Sequence, residues 1–214
     1  MTTSFPLDRK LVPGLLAAVA ALFFILPATS ANAGLLVQSA PDCEAKDASR
    51  VFLPWGDIGR YELVPDGGFE EGAGDWSLSG GAKIVEGNSS HYVRSADDRY
   101  SLSLPAGSSA LSPTVCVGLE HPTLRFFSKK VSGSNLLSAM TVSVRTETSL
   151  GLILELPVGV VTPSQNWQPT LPMTVVANLL PLLPGDYTPV QFRFTPLLGG
   201  WQIDDVYVDP LRKN

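Results

Sequence analysis

Beyond residue 60, the chain consists of short runs in which apolar and polar residues alternate, separated by turn-forming residues. The clearest run is 139–148, where Met140, Val142 and Val144 fall on one face of an extended strand. No segment shows the i, i+3, i+4 apolar spacing of a long amphipathic helix. The pattern predicts strands at 61–64, 82–86, 91–93, 100–104, 114–117, 123–131, 139–148, 152–161, 173–177, 189–194 and 201–208.

Many short strands with one apolar face each predict an all-β fold, either an antiparallel sandwich or a barrel. The run 152–161 is largely apolar, so we expect it to be a buried strand. Ahead of the strands lies an irregular extension, in which Phe52 and Trp55 are expected to pack against the body. The predicted boundaries are a leader at 1–33, the extension at 34–60, the β-sandwich domain at 61–209 and a C-terminal tail at 210–214.

The first 33 residues have the order of a secretory signal peptide. Arg9 and Lys10 precede an apolar run at 15–26, and small residues follow at 31–33 (Ala-Asn-Ala). The run is shorter than the roughly 20 residues that span a bilayer, and Pro27 interrupts it just before the small residues. We therefore predict cleavage and a secreted, extracytoplasmic protein. The alternative is an uncleaved N-terminal anchor.

The charge of the chain narrows the classes of molecule that it could bind. The chain carries 15 Lys and Arg against 20 Asp and Glu, a net charge of −5, and has no basic block. Nucleic acid and anionic membrane surfaces are therefore poor candidates for partners.

The two cysteines, Cys43 and Cys116, are expected to form a disulfide in an oxidising compartment. A metal or redox thiol pair is the alternative, but there is no C-x-x-C motif to support it.

Two motifs lie at opposite ends of the predicted domain. The segment 63–70 reads LVPDGGFE and is followed by Trp76, while 201–208 reads WQIDDVYV. Together they resemble the calcium-containing jelly-roll domains of the galactose-binding-like superfamily, which includes carbohydrate-binding modules of secreted glycoside hydrolases. The resemblance covers about residues 61–209, with Asp66 standing where Asn is usual. It implies an antiparallel jelly-roll sandwich whose first and last strands lie side by side.

The same resemblance implies a structural calcium ion where those two strands meet. The matching positions are Glu70, a backbone carbonyl near Gly68, and Asp204 or Asp205. Adjacent acids in a regular strand point to opposite faces, so one of the two aspartates should point inward or toward a sheet edge. A carboxylate there is costly unless it is paired. The alternative to calcium is a hydrogen-bonded or Arg-paired aspartate.

Aromatic residues supply the candidate ligand site. Trp76 and Trp201 lie in or beside the two motifs, so we expect them in the core. Trp167 lies in a polar stretch, and we expect it to be partly exposed. The candidate ligand-binding set is Trp167, Tyr92, Tyr100 and Tyr187. The alternative is that each of these rings simply packs beneath a loop.

The resemblance implies a non-catalytic binding module for glycans or a similar extracellular ligand, and we expect a monomer. A structural or adhesion-type protein that binds another protein is the alternative. An enzyme carries little weight, because there is no G-x-S-x-G motif. In addition, His91 and His121 lack a metal-ligand partner at i+2 or i+4.

Overall fold

A computed structural model of the chain describes residues 47–118, 123–134, 136–148, 151–175 and 188–209. All of them belong to one compact unit, Ala33–Asn214. Their strands form two antiparallel sheets, and the apolar faces of the two sheets share one core. The predicted fold class, an all-β antiparallel sandwich of jelly-roll type, is confirmed.

Sheet 1 has seven strands in the order β10-β7-β13-β4-β3, with β1 also pairing to β13 and β11 to β7. Its strands are β1 (Glu62–Leu63), β3 (Lys83–Glu86), β4 (Tyr100–Leu104), β7 (Thr123–Lys130), β10 (Gln168–Pro169), β11 (Met173–Thr174) and β13 (Trp201–Val208).

Sheet 2 has six strands in the order β2-β5-β12-β8-β9, with β6 also pairing to β12. Its strands are β2 (Ser77–Ser79), β5 (Ser109–Leu111), β6 (Val115–Val117), β8 (Ala139–Glu147), β9 (Ile153–Val161) and β12 (Thr188–Leu198). A short 3-10 helix at Leu53–Trp55 precedes all of these strands.

The core lies between the sheets and is aromatic at its centre. Trp76 is 5% exposed and Trp201 is fully buried, which confirms the prediction that both are core residues. The Trp76 indole N–H donates to the carbonyl of Pro65, 2.9 Å away, so its one polar group is satisfied. Glu62 lies opposite Val208, so the first and last strands are neighbours, as the resemblance implied.

Two strand predictions are wrong. Residues 91–93 form no strand, because Tyr92 has a φ of +47° and the segment lies in the loop between β3 and β4. β9 is not a buried strand: it lies at the edge of sheet 2, and Leu154 and Val160 are 42% and 63% exposed. An apolar run gives no information about whether a strand has one neighbour or two. Three short strands, at 77–79, 109–111 and 168–169, lack a readable pattern.

The described part of the extension covers the outer face of sheet 1. Phe52 is fully buried and contacts Tyr61, Phe127 and Tyr207, with ring centroids 4.8, 5.4 and 5.9 Å away. Trp55 contacts Phe127 at 5.4 Å but remains 38% exposed. Both packing predictions for the extension are therefore confirmed.

An ion pair holds this extension to sheet 1. The buried Arg125 donates to the Asp57 carboxylate and, through Nε, to the carbonyl of Thr170, 2.9 Å away. Its guanidinium carbon lies 4.2 Å from the centroid of the Phe52 ring. Tyr61 also donates to Asp57, at 2.7 Å. Burial acts to raise the pKa of Asp57, but hydrogen bonds from the Gly59 N–H, Tyr61 and Arg125 together lower it, so the carboxylate stays charged.

Several predictions fall outside the described residues: the leader at 1–33, Cys43, His121 and Tyr187. Cys116, on β6, is not a free thiol. Its pairing with Cys43 stays a prediction. Within the part of the chain that the structure covers, no helix has the length and apolar character needed to cross a membrane.

Candidate functional site

Two aspartates are buried at a β-bulge in the last strand. The register between β13 and β7 shifts between Asp204 and Tyr207, and Asp205 has a φ of +49°. The bulge interrupts the regular alternation of side chains on which the expectation of opposite faces rested. Both side chains are buried. Asp204 is 0% exposed and Asp205 is 1% exposed.

Backbone N–H groups satisfy two of the predicted calcium ligands. Asp204 accepts hydrogen bonds from the N–H of Ser89 at 2.7 Å and from the N–H of Asp205 at 2.8 Å. Glu70 accepts from the N–H groups of Arg99 and Tyr100, at 2.8 and 2.9 Å. Glu70 thus anchors the end of the β3–β4 loop, and Asp204 anchors its beginning.

Asp205 is different, because neither of its buried carboxylate oxygens has a hydrogen-bond partner among the described residues. The nearest positive charge is Arg94, whose Nε lies 4.0 Å from Asp205 Oδ1. Arg94 reaches this position across Gly68, where a Cβ would lie 1.6 Å from its Nη1. Glycine at position 68 therefore makes room for the guanidinium.

The cluster strongly perturbs proton binding. Burial, and after it the neighbouring Asp205 charge, raise the pKa of Asp204 to about 9. Burial also raises the pKa of Asp205, to about 7, although Arg94 acts in the opposite direction. Burial disfavours the charged form of each group, so a cation bound beside the two carboxylates would favour their ionisation.

These residues meet one requirement of a calcium site, which is buried carboxylate oxygens in need of a cation. Asp205 supplies two such oxygens, whereas Glu70 and Asp204 are already bonded to backbone N–H groups. Within the described ranges, no three His, Cys, Asp or Glu side chains are grouped closely enough to hold a metal ion. Calcium stays a prediction, and Arg94 is the cation that the structure places beside Asp205.

The outer face of sheet 2 carries polar side chains on four of its strands, and we call this group of residues the polar face. Its register places Arg193 opposite Ser143 and Gln191 opposite Arg145, with Glu155 on the far side of Arg145. The polar face consists of Ser109, Thr141, Ser143, Arg145, Glu155, Gln191, Arg193 and Thr195.

A hydrogen-bond network fixes the middle of this polar face. Glu155 accepts from the Ser143 hydroxyl at 2.6 Å and from Arg193 Nε at 3.1 Å. Arg193 Nη1 donates onward to Ser109 Oγ, 3.2 Å away. Arg145 makes no ion pair or side-chain hydrogen bond within the described part of the chain. The network therefore holds donors and acceptors in place while Arg145 remains available.

The predicted aromatic set does not lie on the polar face. Trp167 is only 8% exposed, so the expectation of partial exposure is wrong. Lys129 covers Trp167, with Nζ 4.8 Å from the ring centroid. Tyr92 is 49% exposed in the β3–β4 loop, and Tyr100 is half-buried at the start of β4. No ring contact among the described residues joins these three side chains.

The sequence prediction missed the residues of the polar face, because it took aromatic residues in loops as the signal for a ligand site. A signal was available in the alternating segment 139–148, whose polar positions are Thr141, Ser143 and Arg145. The segment 189–194 has the same character, with Gln191 and Arg193 between apolar residues. Polar residues at every second position of neighbouring strands form a continuous surface once the strands pair.

Neither a protein-family profile nor a curated protein matches the chain. Solved structures similar to it include the CBM22-1 xylan-binding domain from Paenibacillus barcinonensis Xyn10C, at 14% identity and a TM-score of 0.46. That likeness covers 80% of this chain and 100% of the domain. The CBM22-1 and GH10 modules of Clostridium thermocellum xylanase 10B are similar at 12% identity and a TM-score of 0.48, over 68% of this chain and 28% of theirs.

The enzymatically active domain of tailspike protein 4 from Bacteriophage CBA120 is similar at 16% identity and a TM-score of 0.45. The likeness covers 69% of this chain, which spans about a fifth of that domain (21%). Several of the similar structures are thus carbohydrate-binding modules. All of these TM-scores lie below 0.5, so none of them carries an argument about the ligand of this protein.

Proposed function

We propose that this protein is an exported, non-catalytic binding module and that its polar face binds glycans. The observation that carries the proposal is the hydrogen-bonded network of Glu155, Ser143 and Arg193, set in a face whose outward side chains are polar on neighbouring strands. Rigid strands hold these groups more precisely than loops would.

A glycan presents alternating hydroxyl donors and acceptors along its length, and the polar face offers both kinds of partner. Arg193 and Arg145 donate, Glu155 accepts, and the Ser and Thr hydroxyls do either. Each such hydrogen bond contributes only about 0.5–1.5 kcal/mol, or up to about 3 kcal/mol with a charged group. With no described aromatic ring on this face, we expect affinity to come from several polar contacts.

We propose binding rather than catalysis because of how Glu155 is held. Hydrolysis of a glycosidic bond uses one carboxyl group as a proton donor and a second on the other side of the bond. Glu155 accepts from a hydroxyl and a guanidinium. Each of its two carboxylate oxygens is therefore already engaged within the network of the proposed binding surface.

The test is a glycan-array screen of the chain beside two variants. Arg193→Ala removes the centre of the network. It should lower the affinity for any glycan that the parent chain binds by at least about tenfold, since a charged hydrogen bond contributes about 1.5–3 kcal/mol. Arg50→Ala removes the same charge from an exposed site in the extension and should bind like the parent. Silence on all glycans, or equal loss in both variants, would refute the proposal.

We also propose that calcium binds beside Asp205, with Glu70, Asp204 and a carbonyl near Gly68 as further ligands. The ion would supply the positive charge that two buried oxygens of Asp205 lack. The test compares the thermal midpoint in calcium and in chelator, for the parent chain and for Asp205→Asn. A calcium-dependent rise in the parent alone supports the site, and an unchanged parent midpoint contradicts it.

Export itself is the remaining proposal. The order of cations, the apolar run at 15–26 and the small residues at 31–33 support a cleavable signal peptide. N-terminal sequencing of the protein recovered outside the producing cell should begin near Gly34. Recovery of the intact N-terminus in a membrane fraction would support the anchor instead.

A further inference from the structure

Five large apolar side chains are exposed at one end of the sandwich, and we call them the leucine tip. They belong to the loop between β7 and β8 and to the end of β12. Their exposed fractions range from 50% to 94%. The leucine tip consists of Val131, Leu136, Leu137, Leu197 and Leu198. Isolated exposed leucines are ordinary, but a group of this size indicates an interaction surface.

The two segments of the leucine tip are joined by close contacts. The N–H of Val131 donates to the carbonyl of Gly200 at 2.8 Å, and the N–H of Gly200 donates to Ser132 Oγ at 2.8 Å. A Cβ on Gly133 would lie 2.7 Å from the Cα of Gly199. The backbones therefore touch, and the leucines project from one compact support rather than from two separate loops.

Three more loops reach the same end of the sandwich. Gly107, between β4 and β5, donates to the carbonyl of Pro196 at 3.1 Å. Gly80, between β2 and β3, packs against Ser108 of that loop. Ser164, between β9 and β10, accepts from the N–H of Lys130 at 2.6 Å. Among the residues that the structure describes, this end is thus formed by the loops at 80–82, 105–108, 131–134 with 136–138, 162–167 and 199–200.

Charge is distributed unevenly between the two ends. These five loops contain no Asp or Glu, although the chain carries 20 such residues. Acidic residues occupy the loops at the other end, for example Glu71 and Asp75 before β2 and Asp97 before β4. The three lysines in the described ranges lie next to the acid-free end, at the end of β7 and the start of β3: Lys83, Lys129 and Lys130.

We propose that the leucine tip docks onto the surface of a lipid bilayer that carries anionic headgroups. The leucines enter the boundary between headgroups and acyl chains, where their burial drives binding. Lys129 and Lys83 lie behind them, where a headgroup layer would be, and carry no ion pair among the described residues. The absence of acids at this end removes the repulsion that the net charge of the chain would otherwise predict.

Distance keeps the acidic end from opposing this contact. β8 spans nine residues between the two ends, which is about 30 Å at roughly 3.3 Å per residue. That length exceeds the screening length of about 8 Å at physiological ionic strength. The acid cluster around Asp205 is nearer, because Asp205 lies five residues beyond Gly200 along β13, about 16 Å at roughly 3.3 Å per residue, which still exceeds that screening length.

The test uses a fluorescent reporter whose signal is local to the leucine tip. Cys116 is not a free thiol, and the parent chain carried through the same labelling reaction serves as the blank for Cys43. Leu136→Cys, at a position 94% exposed, receives an environment-sensitive dye, and Asp75→Cys at the opposite end is the matched control. Vesicles of phosphatidylcholine with phosphatidylglycerol in equal parts, and of phosphatidylcholine alone, are titrated into each labelled full-length chain.

We expect a blue shift and a rise in emission at Leu136 with the anionic vesicles, and none at Asp75. Because the apolar run at 15–26 can itself bind lipid, only the difference between the two labels is informative. Adding Leu197→Ser and Leu198→Ser should weaken the response about tenfold per leucine removed. Lys129→Glu should reduce the preference for anionic vesicles.

Three outcomes would overturn the proposal. A silent Leu136 label with both vesicles means that the leucine tip does not reach lipid. An equal response at Leu136 and Asp75 means that binding occurs elsewhere on the chain. A response at Leu136 that follows protein concentration without vesicles means that the leucine tip contacts a second copy of the chain.

Discussion

Replacing Asp205 by Asn removes one ionisable group from the buried cluster while keeping the size of the side chain. Asp205 is 1% exposed, and neither of its oxygens has a hydrogen-bond partner among the described residues. Burial raises its pKa from the model-compound value of 3.8 to about 7. The unfolded chain therefore releases this proton near pH 4, whereas the folded chain holds it up to about pH 7.

This difference fixes the sign of the pH dependence. Between pH 4 and 7 the folded state binds more protons at Asp205, so the free energy of unfolding falls as the pH rises. The slope is about 1.4 kcal/mol per pH unit, which gives a loss of at most about 4 kcal/mol across the window. Asp204, whose pKa is raised to about 9, adds a decline of its own that begins near pH 4 and continues to about pH 9.

Denaturant unfolding at a series of pH values in the presence of chelator measures this loss. Asp205→Asn should match the parent near pH 4 and exceed it by up to about 4 kcal/mol at pH 8. Asp97→Asn changes an exposed acid of the β3–β4 loop and should leave the slope of the parent unchanged. Parallel profiles for the parent chain and Asp205→Asn would refute the reasoning. Calcium at pH 8 should raise the stability of the parent and not of Asp205→Asn.

Two further substitutions test the packing. Phe52→Ala deletes a fully buried ring and should lower the free energy of unfolding by about 3–5 kcal/mol, measured with denaturant. Trp55→Ala, at a site 38% exposed, should cost less than half as much. Equal losses would contradict the packing of the extension. Gly199→Ala should cost about 2 kcal/mol or more, because φ is +79° and the new Cβ would lie 2.5 Å from the carbonyl oxygen of Ser132. Gly107→Ala has a similar φ of +77° with nothing within 4 Å, so a loss as large as that at Gly199 would argue against the close contact.

The position of the core followed from the sequence because side chains alternate along a strand. In 139–148 the apolar residues Met140, Val142 and Val144 are all fully buried. The same alternation placed the polar partners of these residues on the outside, although their role as a joint surface was not recognised. The opening and closing motifs also predicted the pairing of the first and last strands, which Glu62 and Val208 confirm.

The candidate site was predicted less well, because its geometry depends on neighbours far away in sequence. Glu155 meets Arg193 across two strand pairings and 38 residues. Ser89 reaches Asp204 over 115 residues. Trp167 is buried in a cluster with Phe52 and Phe127, and Lys129 of β7 lies over its ring. No local pattern encodes such contacts, since the strands must first find their partners.

By itself, the sequence determined where the longer strands lie and which face of the alternating ones is apolar, and hence the sandwich. A period of two is a local property that survives any arrangement of the strands. The tertiary structure alone decided that β9 lies at an edge, that a bulge buries both Asp204 and Asp205, and that five acid-free loops gather around the leucine tip. These features depend on which strands pair and at which end their loops meet. Tertiary packing decides both, and the order of the strands along the chain does not.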